Sequence, residues 1–471
     1  MLTRIVENFL SKKNLVLGDK KKTLNCEKTN LFINNILTNI SHVEKNVIGI
    51  ILPRDINYIL VILAIWKSGR SFVPLNFNWP LSFINLIIKR SKLKYVITNK
   101  KNFKIKGVKT IILNKNKIKN NIKNKKINSK VAYTIFTSGS TGEPKGVQIS
   151  KKAFINYVNW VKKNQKSKKK IRHLITGEIT FDIILADLAF ALANKTSIFI
   201  TDDPKNVFNV LELINKHKIN SIYSVPSLMD KITDAAKSLS IKPIKFEFVF
   251  CGGDVFKIKL YKKVKSFFRG ARIFNMYGPT ECTMNCLSIE LSKIDNINKF
   301  KILPTGKKFK HLNYKLIKNN KVYNSEGELL VGGNQLMEGY LNSKEKVFKF
   351  VDGIKYYPTG DYFRKIGNIY YFQGRINEIK KTSGIRLNLN FIEEIVEKLK
   401  TVNSCKMMIK DNNIICFVTS KLNIRKLQIV ISNYCKQKLP NYMIPKKIIK
   451  IKKFKYNERG KLNLKVLKKL M

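Results

Sequence analysis

At 471 residues and 44% apolar composition, the chain can build two or three domains with large cores. Its formal charge of +60 normally points to nucleic acid or an anionic surface, yet only 12 of its 91 basic residues are arginine, the residue with the bidentate phosphate fork. Lysine instead runs with asparagine and isoleucine through every segment, as in "KNKIKNNIKNKKINSK" at 115–130, which reads as drift toward A/T-rich codons and excludes a specific nucleic-acid partner.

The N-terminal "MLTRIVENFLSKKN" has no apolar signal core or small-residue cleavage site. The first 30 residues are weakly patterned. From Val47 onward β runs ("VIGIIL", "SFVPL", "YVITN") alternate with helical stretches such as "NYILVILAIWKSG", the mark of α/β layers. "INYILVILAIW" is the longest apolar run, well short of the roughly 18 residues of a membrane span, so no membrane partner is expected. Residues 101–130 form a Lys/Asn-rich connection with a short strand at "TIIL", and Ser150 is placed to cap the helix "KKAFINYVNWVKK". "TSIFIT", "SIYSVP", "FEFVFCGG" and "ARIFNMYG" read as further strands. Beyond "PTGK" at 304–307 the chain turns β-rich, and its last hundred residues form a compact α+β unit. A boundary falls near Gly374–Asn377, giving domains 1–376 and 377–471. Seven cysteines form no CxxC pair, and no histidine lies near Cys282 and Cys286 to complete a zinc site, which suits a reduced, cytoplasmic protein.

Between these elements lies "YTIFTSGSTGEPKGVQIS", 133–150. A β-rich run ends near Thr137, and Gly139, Gly142 and Gly146 then let backbone N–H groups approach a ligand. Ser138, Ser140 and Thr141 add hydroxyls, and Lys145 adds a cation. Converging donors around a cation make an anion site, with phosphate the commonest occupant. It is not a Walker A loop, because Lys145 follows Pro144 rather than a second glycine.

With "KSGRSFVPLNFNWP" (67–80), "TSGSTGEPKG", "NMYGPTEC" (275–282), "GELLVGG…EGYL" (327–341), "YPTGD" (357–361), "GRINEIKKTSGIR" (374–386), "LPNYMIP" (439–445) and "RGKL" (459–462) in order, the chain resembles the adenylate-forming ligases. The likeness runs from about Ile48 to Lys465. It is closest to the amino-acid branch, which contains the adenylation domains of peptide synthetases and D-alanine–carrier protein ligase. The resemblance implies an α/β fold: a large N-terminal domain of layered α/β subdomains with a β-rich subdomain, and a small mobile α+β lid.

It also implies roles. The 137–145 loop would take the phosphates of ATP, with Thr137 and Lys145 catalytic. Glu281 would hold Mg²⁺, a hard oxygen-seeking cation. Tyr277 would stack on adenine, Asp361 would bind the ribose hydroxyls, and Asn275, Gly278, Thr280 and Arg375 would lie around phosphate and ribose. Gly252, Gly253 and Asp254 would line the purine, Asp254 standing where glutamate is usual. Lys461 would reach the carboxylate and α-phosphate, although Arg459 departs from the usual Asn-Gly-Lys. Lys381 and Gly384 would line the thiol path, and Asn377 replaces the hinge aspartate.

Asp182, in "FDIILADLAFAL", matches the aspartate that binds the substrate's α-amino group and so points to an amino acid. Ile183, Ala186, Tyr223, Val249, Cys251, Met276, Met284 and Asn285 would complete the pocket, with Asn285 placed to meet a polar group. The chain stops soon after Lys461, so the acceptor is expected to be the phosphopantetheine thiol of a separate carrier protein. The competing readings are an acyl- or aryl-acid CoA ligase and a non-catalytic nucleotide-binding homologue.

Overall fold

A computed structural model describes residues 1–100, 103–113, 127–138, 144–297, 300, 303–343, 345–376, 381–382, 385–386, 389–411, 413–454 and 464–471. Their contacts fall into two compact units. One comprises Met1–Phe77, Ser91–Phe136 and Gly146–Ile376; the other comprises Asn78–Arg90, Thr137–Lys145 and Asn377–Met471.

The first unit carries a 15-stranded sheet of mixed character. Strands Ser197–Ile200, Arg172–Ile175, Ser221–Ser224, Phe248–Gly252 and Arg272–Tyr277 are parallel neighbours. Helices such as Ile183–Asn194, Val207–Lys216 and Ile258–Phe267 intervene in the chain, as parallel pairing requires. Arg272–Tyr277 then pairs antiparallel with Leu287–Glu290, and the sheet continues antiparallel through Gly306–Lys308, Ile369–Arg375, Ile354–Ile366, Glu326–Gly333 and Leu312–Lys318. The β-rich stretch beyond residue 304 therefore extends the same sheet.

A seven-stranded sheet holds Lys109–Ile112, Tyr95–Thr98, Val47–Leu52, Ser71–Asn76 and Val131–Ser138 in parallel. Helix Ile56–Lys67 is capped by the Asp55 carboxylate and buried on nearly every face, including Tyr58 and Trp66. A helix apolar all round is a core helix, which accounts for the longest hydrophobic run. Among the described residues no helix is long and apolar enough to cross a membrane. As expected, Ser150 caps helix Lys151–Asn164, its hydroxyl accepting from the Ala153 N–H.

The weakly patterned N-terminus is in fact ordered into helix Leu2–Leu10, strands Val16–Gly18 and Thr23–Asn25, and helix Cys26–Ile40. Leu2, Val6, Phe9 and Leu10 do mark a buried helical face. The pattern covers barely two turns, too short to stand out from chance.

In the second unit, Ser404–Lys410, Asn413–Thr419 and Lys447–Lys450 form a three-stranded sheet, with helices Leu389–Glu397, Ile424–Lys438 and Leu464–Lys469. Two acids pin the first helix to the first strand: Glu393 accepts the Met407 N–H at 2.7 Å and Glu397 the Cys405 N–H at 2.9 Å. This is the α+β unit expected at the C-terminus.

Candidate active site

Strand Arg272–Tyr277 delivers three of the expected residues. The Tyr277 hydroxyl donates to Asp361 Oδ2 at 2.7 Å, and Arg375 Nε donates to Asp361 Oδ1 at 2.6 Å. Asp361 and Arg375 are cross-strand partners, so pairing of Ile354–Ile366 with Ile369–Arg375 sets their contact. Asp361 is 1% exposed. A carboxylate has about four lone-pair sites, so Asp361 can accept further donors beside these two. Burial, with the charge of Asp361 second, pushes the Tyr277 phenol well above its ordinary range and keeps it a donor. Register shifts flank this corner, between Glu328 and Leu330 and between Tyr362 and Phe363, with Gly360 at φ +69°. Such bulges re-aim side chains.

After Tyr277 the chain folds back on itself. A Cβ at Gly278 would lie 2.4 Å from the Met284 carbonyl oxygen, so only glycine fits. Thr283 and Met284 both take left-handed φ, 57° and 71°, at a cost of about 1–2 kcal/mol each. Fully buried Gln335 holds this turn: its Nε2 donates to the Asn285 carbonyl at 3.1 Å, and its carbonyl accepts from Thr283 Oγ1 at 2.5 Å. Glu281, 1% exposed, sits in the short helix Thr280–Cys282 and accepts the Tyr340 hydroxyl at 2.8 Å. Thr280 is half-buried beside it. Asn275 faces away from Met276, its amide donating to the Pro304 carbonyl at 2.8 Å. Gly252 is wedged against the Met276 carbonyl and the Tyr223 hydroxyl, 2.7 and 2.8 Å from where a Cβ would stand. Gly253 is exposed at φ +88°, and the Asp254 carboxylate accepts the Val255 N–H at 2.7 Å.

Asp182 occupies the N-cap position of helix Ile183–Asn194 but makes no side-chain cap bond to it. Its charge falls on three buried phenols. Burial first, and Asp182 among the lesser causes, raises Tyr133, Tyr157 and Tyr223 above the ordinary tyrosine range. Ile183 and Ala186 follow on the same helix. The Tyr223 hydroxyl donates to Asn285 Oδ1 at 2.9 Å, and Asn285 Nδ2 donates to the Tyr157 hydroxyl at 2.8 Å. Met276 and Met284 are buried in the same core as Tyr223.

The placement of Val249 and Cys251 beside Tyr223 and Met276 needs correction. Strand Phe248–Gly252 alternates faces, so Phe250, not Val249 or Cys251, lies with Tyr223 and Met276. Val249 and Cys251 enter the second core with Ile222 and Ile273, as the in-register parallel pairing dictates. The side-chain amide of Asn285 carries one tyrosine partner on its oxygen and one on its nitrogen, which leaves a lone pair and an N–H for a ligand's polar group.

Thr137 and Lys145 are half-buried members of the second unit. Ser138 and Lys381 are described as strand positions only. Gly139, Ser140, Thr141, Gly142, Asn377, Gly384 and Lys461 lie outside the described residues. Sequence reading missed Tyr157 and Gln335, which no residue type or spacing marks in advance, and gave no role to Tyr340 although it stands in the "EGYL" motif.

One further cluster has catalytic composition. His173 Nε2 lies 2.7 Å from Asp187 Oδ1, and its Nδ1 lies 2.8 Å from Ser221 Oγ. All three are fully buried, so they lock helix Ile183–Asn194 to the sheet and offer no access to a substrate.

The chain belongs to the AMP-binding enzyme family, whose model matches residues 31–341. It is an α/β, nucleotide-binding ligase type of fold with a second α+β unit. Among curated relatives, D-alanine–D-alanyl carrier protein ligase of Staphylococcus aureus is 29% identical over 428 residues, covering 85% of this chain and 84% of the relative. Solved structures of other proteins share the fold. O-succinylbenzoate CoA synthetase from Bacillus subtilis superposes with a TM-score of 0.83 at 18% identity, over 99% of this chain and 98% of that one. The Vibrio cholerae adenylation domain AlmE, solved with glycyl-adenosine-5'-phosphate, gives 0.81 at 19% identity, over 99% and 97%.

Proposed function

We propose that the protein activates an amino acid with ATP and passes it to the phosphopantetheine thiol of a separate carrier protein. The observation that carries this reading is the placement of Asp182, at the head of a buried helix and amid three phenols, in the same unit as the Tyr277–Asp361–Arg375 cluster. An ammonium is the natural counter-charge for this half-buried carboxylate. The similarity to a D-alanine–carrier ligase supports the same choice.

In the first half-reaction a substrate carboxylate oxygen bonds to the α-phosphorus, and the bond from that phosphorus to the bridging oxygen breaks, releasing pyrophosphate. Charge grows on phosphoryl oxygens, so positioning and cations supply most of the catalysis. Asp361 accepts the ribose hydroxyls, Arg375 holds Asp361, and the exposed Gly253 admits the purine, with the backbone of Gly252 beside it. Glu281 is a hard oxygen donor that would hold Mg²⁺, which would supply positive charge against the developing phosphate charge. The 137–145 loop, Lys145 and Lys461 meet the phosphates and the reacting carboxylate. In the second half-reaction a thiol sulfur bonds to the acyl carbon, AMP leaves and the thiol proton is lost to solvent. Lys381 and Gly384 would serve this thiol step, and residues 377–471 would act as the lid.

The test is ATP–pyrophosphate exchange across the common amino acids and a set of aryl and acyl acids lacking an α-amino group. Exchange driven by one or a few amino acids is expected. Exchange driven only by the acids without an amino group would overturn the reading in favour of a CoA ligase.

A further inference from the structure

We infer that Tyr157, on helix Lys151–Asn164 and outside every recognised motif, is a specificity-determining residue that limits the amino-acid site to side chains of about alanine or serine size. This rests on the amino-acid reading of Asp182. Tyr157, Asn285 and Tyr223 form one hydrogen-bonded bar, phenol to amide to phenol, with exposures of 1%, 4% and 5%. The bar lies within the electrostatic reach of Asp182 at both ends. Its Tyr223 end fills the space over Gly252, where even a methyl group would stand 2.8 Å from the hydroxyl. Phe250 packs beside Tyr223 with ring centroids 5.8 Å apart, and Tyr157 is itself backed by Trp160 at 6.0 Å. Tyr223 therefore has no room to turn away while Asn285 holds its hydroxyl. Asn285 is fixed in turn because Tyr157 takes its amide and Gln335 takes its carbonyl. Tyr157 thus acts on the ligand through Asn285 and Tyr223, as a positioning residue.

The discriminating variants cut the bar with almost no change in volume. Tyr157→Phe removes the acceptor for Asn285, and Tyr223→Phe removes the donor at the other end. The measurement is kcat/KM for exchange with glycine, alanine, serine, valine and leucine, with KM for ATP and the thermal midpoint of each variant. Wild type should prefer the three smaller amino acids. Both variants should raise the valine-to-alanine ratio by about 10-fold or more, the worth of a methylene or two in a pocket, with KM for ATP unchanged. Equal losses for every amino acid would show a merely structural bar and overturn the inference. So would a wild-type preference for leucine. Absence of any amino-acid-dependent exchange in wild type, with aryl acids active, would instead bring down the underlying reading and this inference with it.

Discussion

Two small hydrogen-bonded clusters in the large unit are built from the same materials and differ in how they are specified. Tyr277, Asp361 and Arg375 come from three motifs, and β-pairing fixes their meeting: Asp361 and Arg375 face each other across adjacent strands. Tyr157, Asn285 and Tyr223 come from a helix, a left-handed turn and a strand, and only tertiary packing joins them. One cluster contains a buried ion pair, so losing a member leaves a charge stranded. The other is neutral, and cutting it leaves only a polar group to satisfy. Breaking the first should therefore cost stability and nucleotide affinity together, while breaking the second should change selectivity at little cost to the fold.

The largest effect is expected from Asp361→Ala. It strands the Arg375 guanidinium, whose side chain is 12% exposed, and removes the acceptor of the Tyr277 hydroxyl. Loss of one member of a buried pair costs about 3–5 kcal/mol, to be read from urea midpoints. Gly278→Ala should follow at about 1–3 kcal/mol, because the methyl would collide with the Met284–Asn285 backbone. Since that backbone carries Asn285, this variant should also disturb amino-acid selectivity, which joins the two clusters through one turn.

Acidification separates a third network from both. Burial raises the Asp187 carboxyl to about 6, the His173 hydrogen bond opposing the rise. In the unfolded chain it ionises near the ordinary value of 3.8. The folded state thus holds more protons between these values. Asp187 favours folding most below about pH 4, and that contribution fades as pH rises through about 6. Comparing wild type with Asp187→Asn by urea unfolding from pH 4 to 7, wild type should lose stability relative to the variant as pH rises. A relative gain would reverse the sign. The smallest effect should come from Tyr133→Phe. The Tyr133 hydroxyl is buried and lacks a hydrogen-bond partner among the described residues, so its removal should shift stability by no more than about 0.5 kcal/mol.

The contrast also explains what could be read from the sequence. Tyr277, Glu281, Asp361 and Arg375 were legible because each stands inside a short ordered motif. The α/β-to-β change near residue 304 was legible because strand periodicity persists while helical spacing stops. The resemblance puts Val249 and Cys251 in the pocket, although strand alternation turns them to the other core. Tyr157 carried no signal, since a tyrosine on a helix's apolar face reads as core until Asn285 is seen to reach it. The first 25 residues failed for a simpler reason: helix Leu2–Leu10 and the two three-residue strands after it are too short for periodicity to speak.

The central claim is that Asp361 serves the nucleotide and Asp182 the amino acid. The most direct measurement pairs ATP affinity by calorimetry with amino-acid-dependent pyrophosphate exchange in Asp182→Ala and Asp361→Ala, at a temperature where both are folded. Asp182→Ala should keep ATP affinity near wild type and lose exchange by about 10²-fold or more, the scale of a lost buried ammonium partner. Asp361→Ala should lose ATP affinity itself. Unchanged amino-acid-dependent exchange in Asp182→Ala would contradict the account.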